Sequence, residues 1–288
     1  TNGGDACVAL YPCQYCIIEN TIADGSPKAS FLAELNASGE VPLKGNKILG
    51  SIGYRSGNNG VYINSRGSGL TMMPQDTRVE NVVIYNHRSS SAIRNSDAKN
   101  TVIKNVTLVG AGSDRGITTD QRGYGDGAYS TTMQNALVLN QANVGLTVKG
   151  VSTWSGSEIN SYNNRYVVSP TPPARWTQIT TTNPALGACV AWIPDGSPMK
   201  GAGVGGKDIG ANILYRYENG VLTSVPLWNR TTGEFPRGAL VPGLNNIPGQ
   251  SLYDLHTRLN INRNGCSFPA AYRSSAATLA APNGATPL

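Results

Sequence analysis

Short apolar strands recur along this chain at a spacing close to 30 residues, and each carries one small amide or glycine. The first series reads Ile18-Glu19-Asn20-Thr21-Ile22, Ile48-Leu49-Gly50-Ser51-Ile52, Val79-Glu80-Asn81-Val82-Val83-Ile84, Ile103-Lys104-Asn105-Val106-Thr107-Leu108 and Met133-Gln134-Asn135-Ala136-Leu137-Val138-Leu139, with a weaker sixth copy at Ile159-Asn160-Ser161-Tyr162. From Asn20 through Gly50, Asn81, Asn105, Asn135 and Asn160 the steps are 30, 31, 24, 30 and 25 residues. Between these segments runs a second series, Val61-Tyr62-Ile63, Ala92-Ile93-Arg94, Gly116-Ile117-Thr118 and Gly145-Leu146-Thr147. Its centres at Ile63, Ile93, Ile117 and Leu146 step by 30, 24 and 29, so the two series lengthen and shorten together, 11 to 13 residues apart. Strands on two faces of one stacked coil must keep such a phase, because each coil closes its circuit before the next can sit on it. A sandwich with regular turns imposes no such match.

The pattern therefore predicts an all-β chain, a right-handed parallel β-helix (solenoid) with an irregular C-terminal region carrying one short helix. Asn suits the bends because it tolerates the left-handed backbone and bonds locally. Stacked coils would align the side chains into an amide ladder, with Gly50 supplying the backbone freedom alone. Three parts are expected: coils over 1–168, C-terminal coils and a capping region over 169–272, and an Ala/Pro-rich tail over 273–288. Ser169-Pro170-Thr171-Pro172-Pro173 reads as a rigid break. Tyr215 to Thr223 reads as a hairpin about Asn219-Gly220. Ser251 as N-cap with Asp254, Leu252, Leu255 and Leu259 reads as the helix.

Composition agrees with short strands and many turns: 34 of the 288 residues are Gly, 17 are Pro, and only 14% are charged. The formal charge of +6 favours anionic partners such as acidic polysaccharide, but the basic residues stand singly, which argues against nucleic acid. No stretch approaches the length of a membrane span. The chain opens at Thr1 rather than Met, as a processed secreted protein does. Of the five cysteines, Cys13-Gln-Tyr-Cys16 is a lone CxxC without the second pair of a zinc site, the following His of a haem attachment site, or the βαβ setting of a thioredoxin. One disulfide within Cys7, Cys13 and Cys16 and another between Cys189 and Cys266 are expected, which implies an oxidising place, secreted, extracellular or on a cell surface.

With both ladders on the page, the chain resembles the large family of bacterial right-handed parallel β-helix repeat proteins over roughly residues 15 to 217. Asp195-Gly196-Ser197-Pro198-Met199-Lys200-Gly201-Ala202-Gly203 with Lys207-Asp208-Ile209-Gly210-Ala211 looks like the closing coil of many secreted members. The family holds lyases, hydrolases, epimerases and adhesins, so the resemblance implies a fold rather than one activity.

Candidate chemistry is sparse. The paired aspartates and Gly-His-Gly motif of the β-helix pectin hydrolases are missing, although Asp114, Asp120 and Asp126 sit close in sequence. A lyase of this fold abstracts a proton α to a uronate carboxylate with Lys or Arg as base, and neutralises the carboxylate with Arg or Ca²⁺, which only a lyase would require. Alignment of the second ladder puts Arg66, Ser96, Asp120 and Lys149 in one column, with Arg94 two positions earlier on the same strand face. Arg94, Asp120 and Lys149 are then the catalytic candidates, and Arg66, Arg122 and His87 the substrate-binding ones; the plain alternative is a cross-coil Asp120–Lys149 ion pair. No other metal or cofactor is implied. The structural reading, an adhesive or self-assembling surface protein, rests on the strand-like sequence starting near Val8 with no capping helix before it. Either an N-terminal segment is missing or another molecule covers that end; if the last coil of an identical molecule docks there, head to tail, the contact can run on into a filament.

The expected Cys189–Cys266 bridge closes most of the C-terminal region. Peptide mapping without reductant is expected to recover those two peptides joined; recovery of both as separate alkylated peptides would remove the bridge.

Overall fold

The structure, a computed structural model, describes residues 6–35, 41, 43–65, 73–110, 115–121, 129–149, 152–169, 176–187, 189–227 and 268–274. Its strands are β1 (Ala6–Leu10), β2 (Ile17–Glu19), β3 (Ile22–Asp24), β4 (Ala29–Leu35), β5 (Lys47–Tyr54), β6 (Asn59–Ser65), β7 (Arg78–Tyr85) and β8 (Ser91–Ser96). They continue as β9 (Thr101–Val109), β10 (Arg115–Asp120), β11 (Tyr129–Leu139), β12 (Val144–Lys149), β13 (Ser152–Tyr162), β14 (Tyr166–Ser169) and β15 (Trp176–Thr180). The chain alternates between two parallel sheets: seven strands in the order β1-β4-β6-β8-β10-β12-β14, and eight in the path β15-β13-β11-β9-β7-β5-β2 with β3 also on β5. One strand from each sheet forms a rung.

The alternation of side chains along each strand builds the core. Phe31, Val61, Ile93, Ile117 and Leu146 of the seven-stranded sheet meet Ile48, Val79, Ile103 and Met133 of the other in one buried apolar cluster. Each such side chain removed from water contributes about 1.5–3 kcal/mol.

The first ladder falls where its spacing predicts. Glu19↔Leu49, Leu49↔Glu80, Glu80↔Lys104 and Lys104↔Gln134 are register partners, so Asn20, Gly50, Asn81, Asn105 and Asn135 follow one another rung by rung. All have left-handed φ, between 50° and 55°. The sixth place belongs to Glu158 (φ 51°), not Asn160, because Gln134 pairs with Ser157 and Ala136 with Ile159. The second ladder is corrected by two residues: Ile93 pairs with Val61, and Ile63 sits beside Asn95. A shift of two keeps every side chain on its own face, so the apolar pattern permits both registers.

The expected amide ladder is made once among the described residues, by Asn135 Nδ2 donating to Asn105 Oδ1 at 2.9 Å. The other column asparagines bind a C-terminal strap instead. From Thr182, whose carbonyl accepts from Asn160 Nδ2 at 3.0 Å, this strap runs back along the outside of the eight-stranded sheet toward the first rung. Val204 N–H donates to Asn135 Oδ1 (2.8 Å) and Ala211 N–H to Thr107 Oγ1 (2.8 Å). Asn81 grips Asn212 twice, its Nδ2 donating to the carbonyl (2.8 Å) and its Oδ1 accepting from the N–H (2.6 Å). Asn20 holds Tyr217 the same way (2.7 and 2.9 Å). Beneath the strap lie two apolar clusters, one around Ile52, Val83, Trp192 and Ile213, the other around Leu137, Leu139, Ile193 and Ile209. Residues 195–211, expected as a closing coil, are thus part of this cover, with one 3₁₀ turn at Val204–Gly206 and no strand.

The strap ends in the hairpin read from Asn219-Gly220: β16 (Tyr215–Glu218) and β17 (Val221–Pro226) pair antiparallel. Helix α1 (Ala270–Ser274) is the one short helix among the described residues. Phe268 before it stacks on Trp192 at 4.8 Å, and Ala270 N–H donates to Asp195 Oδ2 at 2.9 Å. The helix expected from Ser251 lies outside the described residues. So does Cys266, and with it the expected bridge; Cys189 is buried. The disulfide expected within the first three cysteines is not formed: Cys7, Cys13 and Cys16 are free thiols, and the Cys7 thiol faces the carbonyl of Asp24 (3.8 Å).

Two substitutions test the strap. Asn81→Ala loses both bonds to Asn212 and leaves a residue at φ 55° without the amide that makes asparagine tolerant of the left-handed region, so a cost of about 2–4 kcal/mol is expected; Asn81→Gly keeps the φ freedom and costs less. Gly50→Asn completes the amide column on paper, yet a Cβ there meets the Tyr217 ring at 2.7 Å. A loss of about 1–3 kcal/mol is expected, relieved in the background of Tyr217→Ala, as denaturant unfolding of the double-mutant cycle would show.

Candidate functional site

Seven-stranded-sheet residues that alternate with the core point outward and form two polar columns. One is Tyr62, Arg94, Thr118 and Thr147; the other is Glu34, Asn64, Ser96, Asp120 and Lys149. Ser96, Asp120 and Lys149 therefore do share a column, as expected. Asn64, not Arg66, stands beside Ser96, which follows from the two-residue correction to the register. Arg66 and Arg122 lie outside the described residues.

Arg94 reaches diagonally to the next rung. Its Nη2 bonds Asp120 Oδ2 and its Nε donates to Asp120 Oδ1 at 3.3 Å, a two-pronged contact suited to the planar guanidinium. The Ser96 hydroxyl donates to Asp120 Oδ1 as well. Tyr62 lies under the guanidinium, with 5.7 Å between Cζ and the ring centre. Burial alone would lower the Arg94 pKa, but the hydrogen bonds and charge of Asp120 outweigh it and leave it raised. One rung back, Asn64 Nδ2 donates to the buried Glu34 Oε1 at 2.7 Å.

Lys149 is placed differently. It is exposed, and among the described residues it forms no ion pair with Asp120 despite being its register partner. The three candidates are thus brought to one face, but Arg94 and Asp120 engage each other while Lys149 stands in water. A guanidinium held by a carboxylate has its fork occupied, so its capacity to neutralise an incoming uronate is reduced; the pair ties two rungs together. His87 is fully buried, and its Nε2 donates to the Arg115 carbonyl at 3.1 Å, so it joins two rungs rather than lining a groove.

A second polar constellation lies at the first rung, and only half of it was visible in the sequence. The Cys13 thiol faces Asn46 Oδ1 at 3.8 Å, and the Cys16 thiol faces the Gln14 carbonyl at 3.7 Å. Burial foremost, then the bond to Cys16 and its charge, push the Cys13 pKa up to about 12. Asn46, itself buried, accepts the Cys16 N–H at 2.9 Å and donates to the Cys13 carbonyl at 3.1 Å. Asn46 follows Cys16 by 30 residues, the rung period, which is the signal that could have found it. Among the described residues no group of three or more His, Cys, Asp or Glu side chains is placed to hold a metal ion.

If the Arg94–Asp120 pair is structural, Asp120→Ala strands a half-buried cation and is expected to cost about 2–4 kcal/mol. Lys149→Ala is expected to stay within about 0.5 kcal/mol of the parent. Thermal or denaturant unfolding checks both, and equal, small effects would return Asp120 to the list of groups held ready for chemistry.

No family model, no curated protein and no solved structure matches this chain.

Proposed function

We propose that the two sheets are faces of a right-handed parallel β-helix, and that this solenoid works outside the cell as a structural unit assembling head to tail. The supporting observation is the placement of exposed apolar side chains. Among the described residues, Tyr11, Tyr15 and Ile17 of the first rung are 39%, 66% and 38% exposed. Val221 and Leu222 of the hairpin, at 65% and 50%, join them, because Gly220 packs beside Ile17. A concentration of apolar surface at one end of a stack is a mark of an interaction face.

The choice of a second copy follows from strand polarity. Among the described residues β1 and β2 are each paired on one side only, at the same end of the two sheets. The opposite edges, β14 and β15, run parallel to them. A copy translated along the stack therefore presents strands in the same parallel sense that every internal pair already uses. A two-fold partner would present them antiparallel. Such a heterologous contact does not close, and it propagates as a filament. Tyr166, 50% exposed on β14, gives that far edge its own apolar contact.

The alternative, a polysaccharide lyase on an acidic glycan, needs Arg94 released from Asp120 and a base in reach. Sedimentation and light scattering over a concentration series are expected to show particle mass rising with concentration, and Ile17→Lys with Leu222→Lys to suppress the rise. A single-chain mass at every concentration would overturn the assembly reading. Incubation with alginate, pectate or glycosaminoglycans is expected to yield no ultraviolet-absorbing unsaturated product; product formation lost in Lys149→Ala would establish the lyase in its place.

A further inference from the structure

The Cys13-Gln14-Tyr15-Cys16 turn is held in place by the rung that follows it. Asn46 contacts both ends of the turn through three bonds, to the Cys13 carbonyl, the Cys13 thiol and the Cys16 N–H. Tyr15 sits between them with φ 57°, a conformation rarely adopted by a bulky side chain. Its ring lies on Gly45, where a Cβ would come within 2.5 Å of it. Gly45 and Asn46 are neighbours, so one dipeptide of the second rung fixes both the ring and the two cysteine backbones. Most of the ordering needed to bring two thiols together has been met by folding. Both thiols are partly accessible, unlike a buried structural cysteine.

We infer that Cys13 and Cys16 form a reversible dithiol–disulfide pair, a site of oxidation by low-molecular-weight disulfides, with Cys7 excluded from it. The inference stands independently of assembly. Cys16 as thiolate attacks one sulfur of a small disulfide; that S–S bond breaks, one small thiolate leaves, and Cys16 carries a mixed disulfide. Cys13 then gives its proton to solvent and attacks the Cys16 sulfur, which expels the second small thiol. The protein has lost two hydrogens and two electrons, and the small disulfide has become two thiols. Cys13 is placed second because burial, foremost, raises its pKa and disfavours its thiolate. Cys7 lies outside the turn that Asn46 holds, with its thiol at the carbonyl of Asp24 on β3.

The test uses the full chain equilibrated in mixtures of glutathione and glutathione disulfide, quenched with acid, alkylated and mapped by mass spectrometry. The expected result is a Cys13–Cys16 disulfide whose fraction follows the mixture ratio and reverses with reductant, while Cys7 carries the alkyl group. Cys7→Ser is expected to leave that titration unchanged. In the single variants, Cys16 (in Cys13→Ser) and Cys13 (in Cys16→Ser) are each expected to stop at the mixed disulfide with glutathione, since the thiol that would resolve it is gone. Cross-linking of Cys7 to either thiol would overturn the assignment. So would both cysteines staying alkylatable in the most oxidising mixture.

Discussion

An asparagine in the left-handed backbone region, turned outward to grip a passing peptide, is the contact on which the architecture depends. A stack of rungs is held only by neighbours, so its stability is a sum of local terms and its end rungs are the weakest. The strap changes that arithmetic. Asn20 and Asn81 each spend their whole amide on one strap residue, donor to carbonyl and acceptor to N–H, as a β-bridge would. The first rung is thereby tied to Tyr217, nearly 200 residues away, while Glu19 beside it accepts the N–H groups of Asn219 and Gly220. Loss of the end rung then also costs the docking of the hairpin, which couples the end of the stack to its outer cover.

The same contact explains why Gly50 interrupts the column. An asparagine would satisfy the bend there as well, but the Tyr217 ring lies where its Cβ would stand. Bend chemistry alone leaves Asn and Gly equivalent; the strap decides between them. The apolar face under the strap has a matching cause. Ile52, Val83, Leu137 and Leu139 point away from the central core, so the eight-stranded sheet is apolar on both faces and must be covered twice.

Much of this was legible in the sequence, and the limits have physical reasons. The step series placed Asn20, Gly50, Asn81, Asn105 and Asn135 in one column because a required φ leaves a residue-type signature. It misplaced the sixth site because Glu158 adopts the same φ without that signature. The second ladder had only apolar alternation, which repeats every two residues, so Val61 and Ile63 were interchangeable until the pairing was known. Of the strap, only the hairpin at its end was legible. Residues 195–211 bind through their backbone, and backbone donors and acceptors look alike in every residue. The site shares these limits: Ser96, Asp120 and Lys149 were found as a column, whereas Arg94's preference for Asp120 over solvent depends on a diagonal reach and on the Tyr62 ring below it.

Electrostatics separates the two polar groups of the molecule by what each holds together. Arg94, Asp120 and Ser96 join adjacent rungs through charges that are mostly withdrawn from water, where removing one partner costs more than the pair itself contributes. Asn46 makes an uncharged version of the same tie at the first rung, and its bonds end on the Cys13 carbonyl, the Cys16 N–H and the Cys13 thiol instead of a carboxylate. That difference matters at an edge. An ion pair there would lose strength to solvent screening, while a buried amide does not. A tie made by Asn46 thus holds the Cys13–Cys16 turn against the second rung without any charge.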